Sequence, residues 1–310
     1  MMNLAEYRNT ATRLADFLPW AALVAPGVVL NKDGSFQRSA RFRGPDLDSA
    51  VPAELVGVAG RLNNVLRRLG SGWALFVEAQ RQPASTYPES RFPDAASVLV
   101  DAERKAAFEE DGAHYESAYF LTFLYLPPAW ESAGAERFLY EGPNRSAGAE
   151  AHEILAGFID RTDRVLQLLE GFMPECRWLD DAETLTYLHS CISTRRQRVR
   201  VPEVPMYLDG LLADQPLTGG LEPKLGDCHL RALTIVGFPG TTTPGILDEL
   251  NRLAFAYRWS TRAIMLDKTD ATKLLTRIRR QWFAKRKSIA AILKRSEEHT
   301  SELQSRQYLV

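Results

Sequence analysis

Apolar residues along this chain switch between alternate spacing and helical spacing, and the switches fall at turn residues. "AALVAPGVVLNKDGSFQRSARFRG" (Ala21–Gly44) carries two β-rich runs around Asn31, Lys32, Asp33 and Gly34, which predicts a hairpin turning at the Asp-Gly pair. In Ala53–Gly70, Leu55, Val58, Leu62, Val65 and Leu69 recur at helical spacing, and Gly70 stops the run. "WALFVEAQRQ" (Trp73–Gln82) predicts a strand and "AASVLVDAERKAAFEEDG" a helix. "YESAYFLTFLYLPP" (Tyr115–Pro128) predicts a long strand ended by prolines. Strands, helices and an adjacent hairpin in this order favour an α+β fold, with a mixed, mostly antiparallel sheet and packed helices.

The Pro/Gly/Ser-rich stretch Pro127–Gly148 is the expected internal boundary, dividing the chain into residues 1–130 and 149–294. Beyond it, Ala149–Glu170 predicts a long amphipathic helix through Ile154, Leu155, Phe158, Ile159, Val165, Leu166 and Leu169. Ala182–Ser193 predicts a second helix, followed by a loop-rich stretch. "CHLRALTIVGFP" is expected as a strand, "PGILDELNRLAFA" as a helix, "YRWSTRAIMLD" as a strand and "KTDATKLLTRIRRQWFAKRKSIAAILK" as a helix capped by Thr269 or Asp270. This strand–helix–strand–helix order predicts a packed α/β layer.

Composition changes little. Of 310 residues 45% are hydrophobic and 25% charged, with a net charge of −1, so no partner follows from whole-chain charge. No apolar run reaches the about 20 residues that a membrane span needs, and the first residues lack a signal-peptide pattern. Three cysteines (Cys176, Cys191, Cys228) without framework spacing read as reduced thiols in a cytosolic protein.

Local chemistry is sparse. "VGFPGTTTPG" (Val236–Gly245) holds glycines before an expected helix, yet it lacks the G-x-x-x-x-G-K-[ST] pattern, and Pro239 and Pro244 each remove a donor. It reads as a turn, and no P-loop or RecA-like core is expected in this chain. His189, Cys191, Cys228 and His229 offer ligand types for zinc. Adjacent strand residues point to opposite faces, however, so Cys228 and His229 suit a shared ion poorly. A nucleophilic set of Cys191, His229 and Asp227 rests on residue types alone. No catalytic or metal site is assigned.

The densest charge lies at the far end of the chain. Lys273, Arg277, Arg279, Arg280, Lys285, Arg286 and Lys287 surround Trp282 and Phe283. One reading is a solvated helical face whose apolar residues pack on the core. The other is a contact surface for anionic lipid, nucleic acid or an acidic partner, with these seven cations as the candidate residues.

The runs "YLHSCIS", "VPEVPMYLDGLLADQPLTGG", "PKLGDCHLRALTIVGFPGTTTPGILDELNRLAFAYRWSTRAIMLDK" and "RIRRQWFAKRKSIAAIL" resemble the amino-terminal domain of the TrbE/VirB-type conjugal-transfer ATPases. The strongest resemblance is expected over 186–293. It implies an ATPase of a bacterial type IV secretion system that energises pilus assembly and transfer, cytoplasmic and peripheral at the inner membrane. The family's Walker loop is expected downstream, so ATP and Mg belong to the parent protein and no cofactor to this stretch. Implied partners are other subunits of the apparatus, inner-membrane components and further copies of the chain.

The last residues depart from everything before them. "RSEEHTSELQS" (Arg295–Ser305) is the in-frame reading of a common short-read sequencing adapter, and Leu309 and Val310 fit its continuation after an index. Residues 295–310 are therefore expected to be a translated adapter, to be excluded from fold reasoning.

Overall fold

The computed structural model describes residues 13–46, 49–84, 87–110, 114–128, 145–237, 239–243 and 245–286. The Pro127–Gly148 boundary mostly falls outside this set, as does the whole 295–310 tail. Residues 1–264 and 265–310 are two separate compact units.

The expected hairpin is a three-stranded meander. After the short helix α1 (Leu14–Phe17) come β1 (Trp20–Ala25), β2 (Val28–Asn31) and β3 (Phe36–Arg43), paired antiparallel in chain order. The second turn lies where Asp-Gly predicts it. Asn31 N–H donates to Ser35 O at 2.8 Å, Gly34 takes φ +82°, and the Asp33 carboxylate accepts from Ser35 N–H and O–H. The first turn is at Gly27, where φ is +67° and an added Cβ would stand 2.5 Å from the Leu179 carbonyl oxygen. Its N–H donates to Asp181 Oδ1 at 2.6 Å, so only glycine fits both the backbone and the close approach.

Four further strands complete the sheet. Helix α2 (Pro52–Leu66) precedes β4 (Trp73–Ala84), and α3 (Ala95–Glu110) precedes β5 (His114–Tyr125). Helix α4 (Arg145–Glu170) leads to β6 (Glu175–Trp178), and β10 (Tyr257–Ile264) comes last. The order is β1-β2-β3-β5-β4-β10, with β6 paired to the second half of β3, and every pair is antiparallel. Strands from both sides of the 131–148 segment thus share one ladder.

Both faces of the sheet are covered, which is why all four residues of β2 are buried. On one face lies α4, whose Phe158 stacks at 5.7 Å on Phe36 and 5.6 Å on Trp73. Arg38 of β3 reaches the same helix, donating to Asp163 at 2.7 Å and lying 4.0 Å over the Trp178 ring. On the other face, Leu18, Trp20 and Val29 pack with Leu179, Leu185 and Leu188. That layer is built from α5 (Asp181–Ser190) and α6 (Leu208–Leu212). The stripe read on α2 points inward: Val65 and Leu69 are buried, and Leu55, Val58 and Leu62 are half-buried.

Helix α5 has a complete capping box. Asp180 Oδ1 accepts from Glu183 N–H at 2.7 Å, and Glu183 Oε2 accepts from Asp180 N–H at 3.1 Å. Glu183 also takes two parallel bonds of 2.8 Å from Arg177. These bonds hold its carboxyl at about 2, against an ordinary 4.5. A depressed carboxylate stabilises the fold above about pH 4.5 and loses that contribution as pH falls through about 2. Glu183→Gln should cost about 1 kcal/mol at neutral pH, allowing for solvent screening. Thermal unfolding should show the two proteins converging as pH approaches 2. A gap that persists undiminished there would refute the assignment.

The expected α/β layer between residues 228 and 256 does not form. The predicted strand is reduced to β9 (Cys228–His229), in a small separate sheet with β7 (Leu217–Thr218) and β8 (Lys224–Leu225). The predicted helix is reduced to a 3₁₀ turn at Asp248–Arg252. The apolar residues that would have locked these elements stay outside: Leu233 is 87% exposed, and Ile246 and Phe255 are also exposed. Helices this short draw their stability from packing, which is missing here.

Candidate functional site

The predicted basic helix, α7, runs over residues 268–286, in the unit beyond Ile264. It starts one turn before the expected caps. Asp267 Oδ1 accepts from Asp270 N–H, and Asp267 O accepts from Ala271 N–H, both at 2.9 Å. Lys273, Arg277, Arg279, Arg280, Lys285 and Arg286 are all exposed on it, while Lys287 lies outside the described residues.

Their spacing sorts them. Lys273, Arg277 and Arg280 follow an i, i+4, i+7 stripe, and Leu275, Ile278 and Trp282 follow a second stripe on another face. Trp282 is 71% exposed, and Phe283, Leu275 and Ile278 are exposed with it. The reading in which these apolar residues pack on a core is therefore corrected. Few charges are neutralised internally: Lys273 Nζ stands 3.7 Å from Asp270, and Arg279 lies 5.7 Å over the Phe283 ring. The helix presents cations beside a bare aromatic edge. Such a surface suits an anionic interface that also accepts apolar side chains.

Within residues 1–264 the chemistry centres on a buried carboxylate that sequence reasoning missed. Glu78 of β4 is 5% exposed. Arg258 of β10 grips it in a fork, Nε to Oε1 at 2.8 Å and Nη2 to Oε2 at 2.6 Å, and also donates to the Cys191 carbonyl. Gln80 Nε2 donates to Glu78 Oε1 at 2.6 Å and to Ser190 Oγ at 3.0 Å, and Tyr187 OH reaches Glu78 Oε2 at 3.3 Å. The one available signal was the polar row Glu78, Gln80, Gln82 at alternate positions of an otherwise apolar strand.

This network ties strand to helix and leaves no reactive group. Burial pushes the Cys191 thiol up to about 12 and the Cys176 thiol up to about 11. Burial likewise raises the Tyr187 phenol well above its ordinary range. Thiols held that high are poor nucleophiles, which tells against the Cys191, His229, Asp227 set. His189 is buried with Nε2 3.2 Å from Asp214 Oδ2, whereas Cys228 and His229 are exposed on β9. Among the described residues no three His, Cys, Asp or Glu side chains come together as a metal site. Val236–Gly245 includes no regular element that leads from a strand into an α-helix, so the helix terminus an anion would need is absent from its described residues.

Comparison with known proteins decides the family. Residues 27–133 match the family described as "Type IV secretion system ATPase VirB4/TrbE, N-terminal domain". A probable conjugal transfer protein TrbE of Sinorhizobium fredii is 40% identical over 140 residues, which cover 94% of that protein and 44% of this chain. The chain belongs to the VirB4/TrbE family. "Conjugal transfer protein TrbE" of Rhizobium radiobacter is 34% identical over 298 residues, or 91% of this chain and 36% of that protein. The virB4 protein of Brucella suis is 23% identical over 88% of this chain and 35% of its own length. This VirB4/TrbE chain thus spans about a third of the length of these two relatives. Among its described residues no helix is long and apolar enough to cross a membrane.

Proposed function

We propose that the chain is the amino-terminal portion of a type IV secretion ATPase that energises pilus assembly and the transfer of DNA or protein. The identity of 34% sustained over 298 residues to TrbE supports this reading most directly. In it, ATP and Mg bind in the length that the relatives have beyond this match, and no residue of this chain takes a catalytic, nucleotide or metal role. This portion makes subunit contacts, with other members of the apparatus and with further copies, and docks the enzyme at the cytoplasmic side of the inner membrane.

Reading the source DNA past the codon for Lys294 tests the proposal and the adapter assignment together. The expected result is an open frame that departs from "RSEEHTSELQS" and later encodes G-x-x-x-x-G-K-[ST]. A stop codon soon after Lys294, with no such motif, would sink the ATPase reading.

A second reading stands on the exposed Trp282 and Phe283 among cations. Here the chain acts as a non-catalytic docking module, and α7 meets anionic lipid of the inner membrane. Nucleic acid is the competing anion for the same helix. The two readings describe a parent enzyme and the contact made by one of its segments.

A further inference from the structure

A cleft of about 560 Å³ opens between one end of the sheet and α5, within residues 1–264 and separate from α7. Its floor comes from alternate residues of the strands, with Arg41 on β3, Gln80 and Gln82 on β4, and Glu116 on β5. Helix α5 forms one wall. The loop that follows it supplies Arg195, Arg196 and Arg198, and β6 adds Arg177. Five arginines thus face two lining carboxylates, Glu116 and Glu183.

These arginines are only partly occupied. Arg177 is committed to Glu183. Arg41 Nε is 3.6 Å from Glu175, with its side chain 48% exposed, and Arg195 Nη1 is 3.8 Å from Asp214 with its side chain 63% exposed. Arg196 donates one N–H to Gln82 Oε1, which fastens the loop over the floor and leaves the rest of its fork available. Arg198 acts on Glu183 only through longer-range attraction.

We propose that this cleft binds a short extended acidic peptide segment of a partner protein, its carboxylates gripped by Arg41, Arg195 and Arg198. A guanidinium fork matches a carboxylate in two parallel bonds, and three forks around a slot of this size fit a few acidic side chains in sequence. Nucleic acid fits less well. A phosphate backbone would run past Glu116 and Glu183. The floor rings of Phe120 and Tyr187 stack on each other at 4.3 Å, so they offer no open face to a base. The proposal concerns the 1–264 unit and holds whether or not α7 meets a membrane.

Fluorescence anisotropy on the full chain tests it, with a fluorescein-labelled octapeptide carrying four glutamates as probe. The glutamine counterpart and an eight-nucleotide thymidine strand serve as comparisons. The glutamate peptide should bind, and the glutamine peptide and the oligonucleotide should not compete. The pair Arg195→Gln with Arg198→Gln should weaken binding about tenfold, as should Arg41→Gln on the rigid strand, while Arg279→Gln with Arg280→Gln should leave it unchanged. Three results would each overturn the proposal: equal binding of the glutamine peptide, tighter binding of the oligonucleotide, or loss confined to the α7 variant.

Discussion

Arg258→Ala should destabilise the protein by about 3 kcal/mol, because it leaves Glu78 ionised and enclosed without its counter-ion. Arg258 closes the sheet as much as it neutralises a charge. One fork edge holds the carboxylate of β4, the neighbouring strand, and the remaining nitrogen holds the carbonyl that ends α5. Its guanidinium is pushed further above its ordinary range by Cys191 and Glu78, against the lowering effect of burial, so it stays charged. The loss should therefore appear first in β10, whose eight residues pair with β4 from Tyr257↔Arg81 to Ile264↔Ala74. Amide exchange across Tyr257–Ile264 should accelerate well before global unfolding, alongside a lower urea midpoint. Adding Glu78→Gln to Arg258→Ala should restore some of the loss, since the unpaired charge is then gone. A single variant that costs under about 1 kcal/mol, with unchanged exchange in β10, would mean that water already solvates the pair.

That ion pair also shows why sequence reasoning reached the fold sooner than the network. The meander was legible because each of its signals is local: alternation in β2 and β3, and Asp33-Gly34 between them. Helices α2, α4 and α5 were legible because their inward stripes recur within a few residues of one another. Glu78 and Arg258 are far apart in sequence, and neither breaks the pattern of its own strand enough to name a partner. The four arginines among residues 195–200 were visible as a run, yet only the folding of the loop over β4 and β5 turns them into one wall of a cleft.

The two misread elements fail for a related reason. Leu230–Val236 has the alternation of a strand, but a strand exists only through its ladder, and β10 bonds to β4 along one edge alone. Residues 244–256 have helical spacing, but Ile246, Leu247 and Phe255 find nothing to cover them. Spacing predicts which face a segment would bury, and whether that burial happens depends on a partner that the segment does not encode.

Reversing Arg279, Arg280 and Lys285 to glutamate should abolish binding of the chain to vesicles that contain anionic lipid. Each cation near such a surface contributes about 1 kcal/mol, so removing three costs about 3 kcal/mol, and reversing their sign costs more. A loss of at least about 100-fold in vesicle affinity follows. Salt should act in the same direction. The screening length is about 10 Å at 0.1 M and about 3 Å at 1 M, so wild-type sedimentation with the vesicles should fall steeply as salt rises. Trp282→Ser tests the apolar half of the contact. Its ring is 71% exposed and free of the charge term, so its loss should weaken binding at every salt concentration without changing the salt slope. Vesicles of neutral lipid should not sediment the chain. Equal binding to neutral and anionic vesicles would remove the charged stripe from the account. An anionic-vesicle complex displaced by single-stranded DNA at equal charge would hand the helix to nucleic acid instead, since the same cations would then prefer phosphates arrayed along a strand to phosphates spread on a surface.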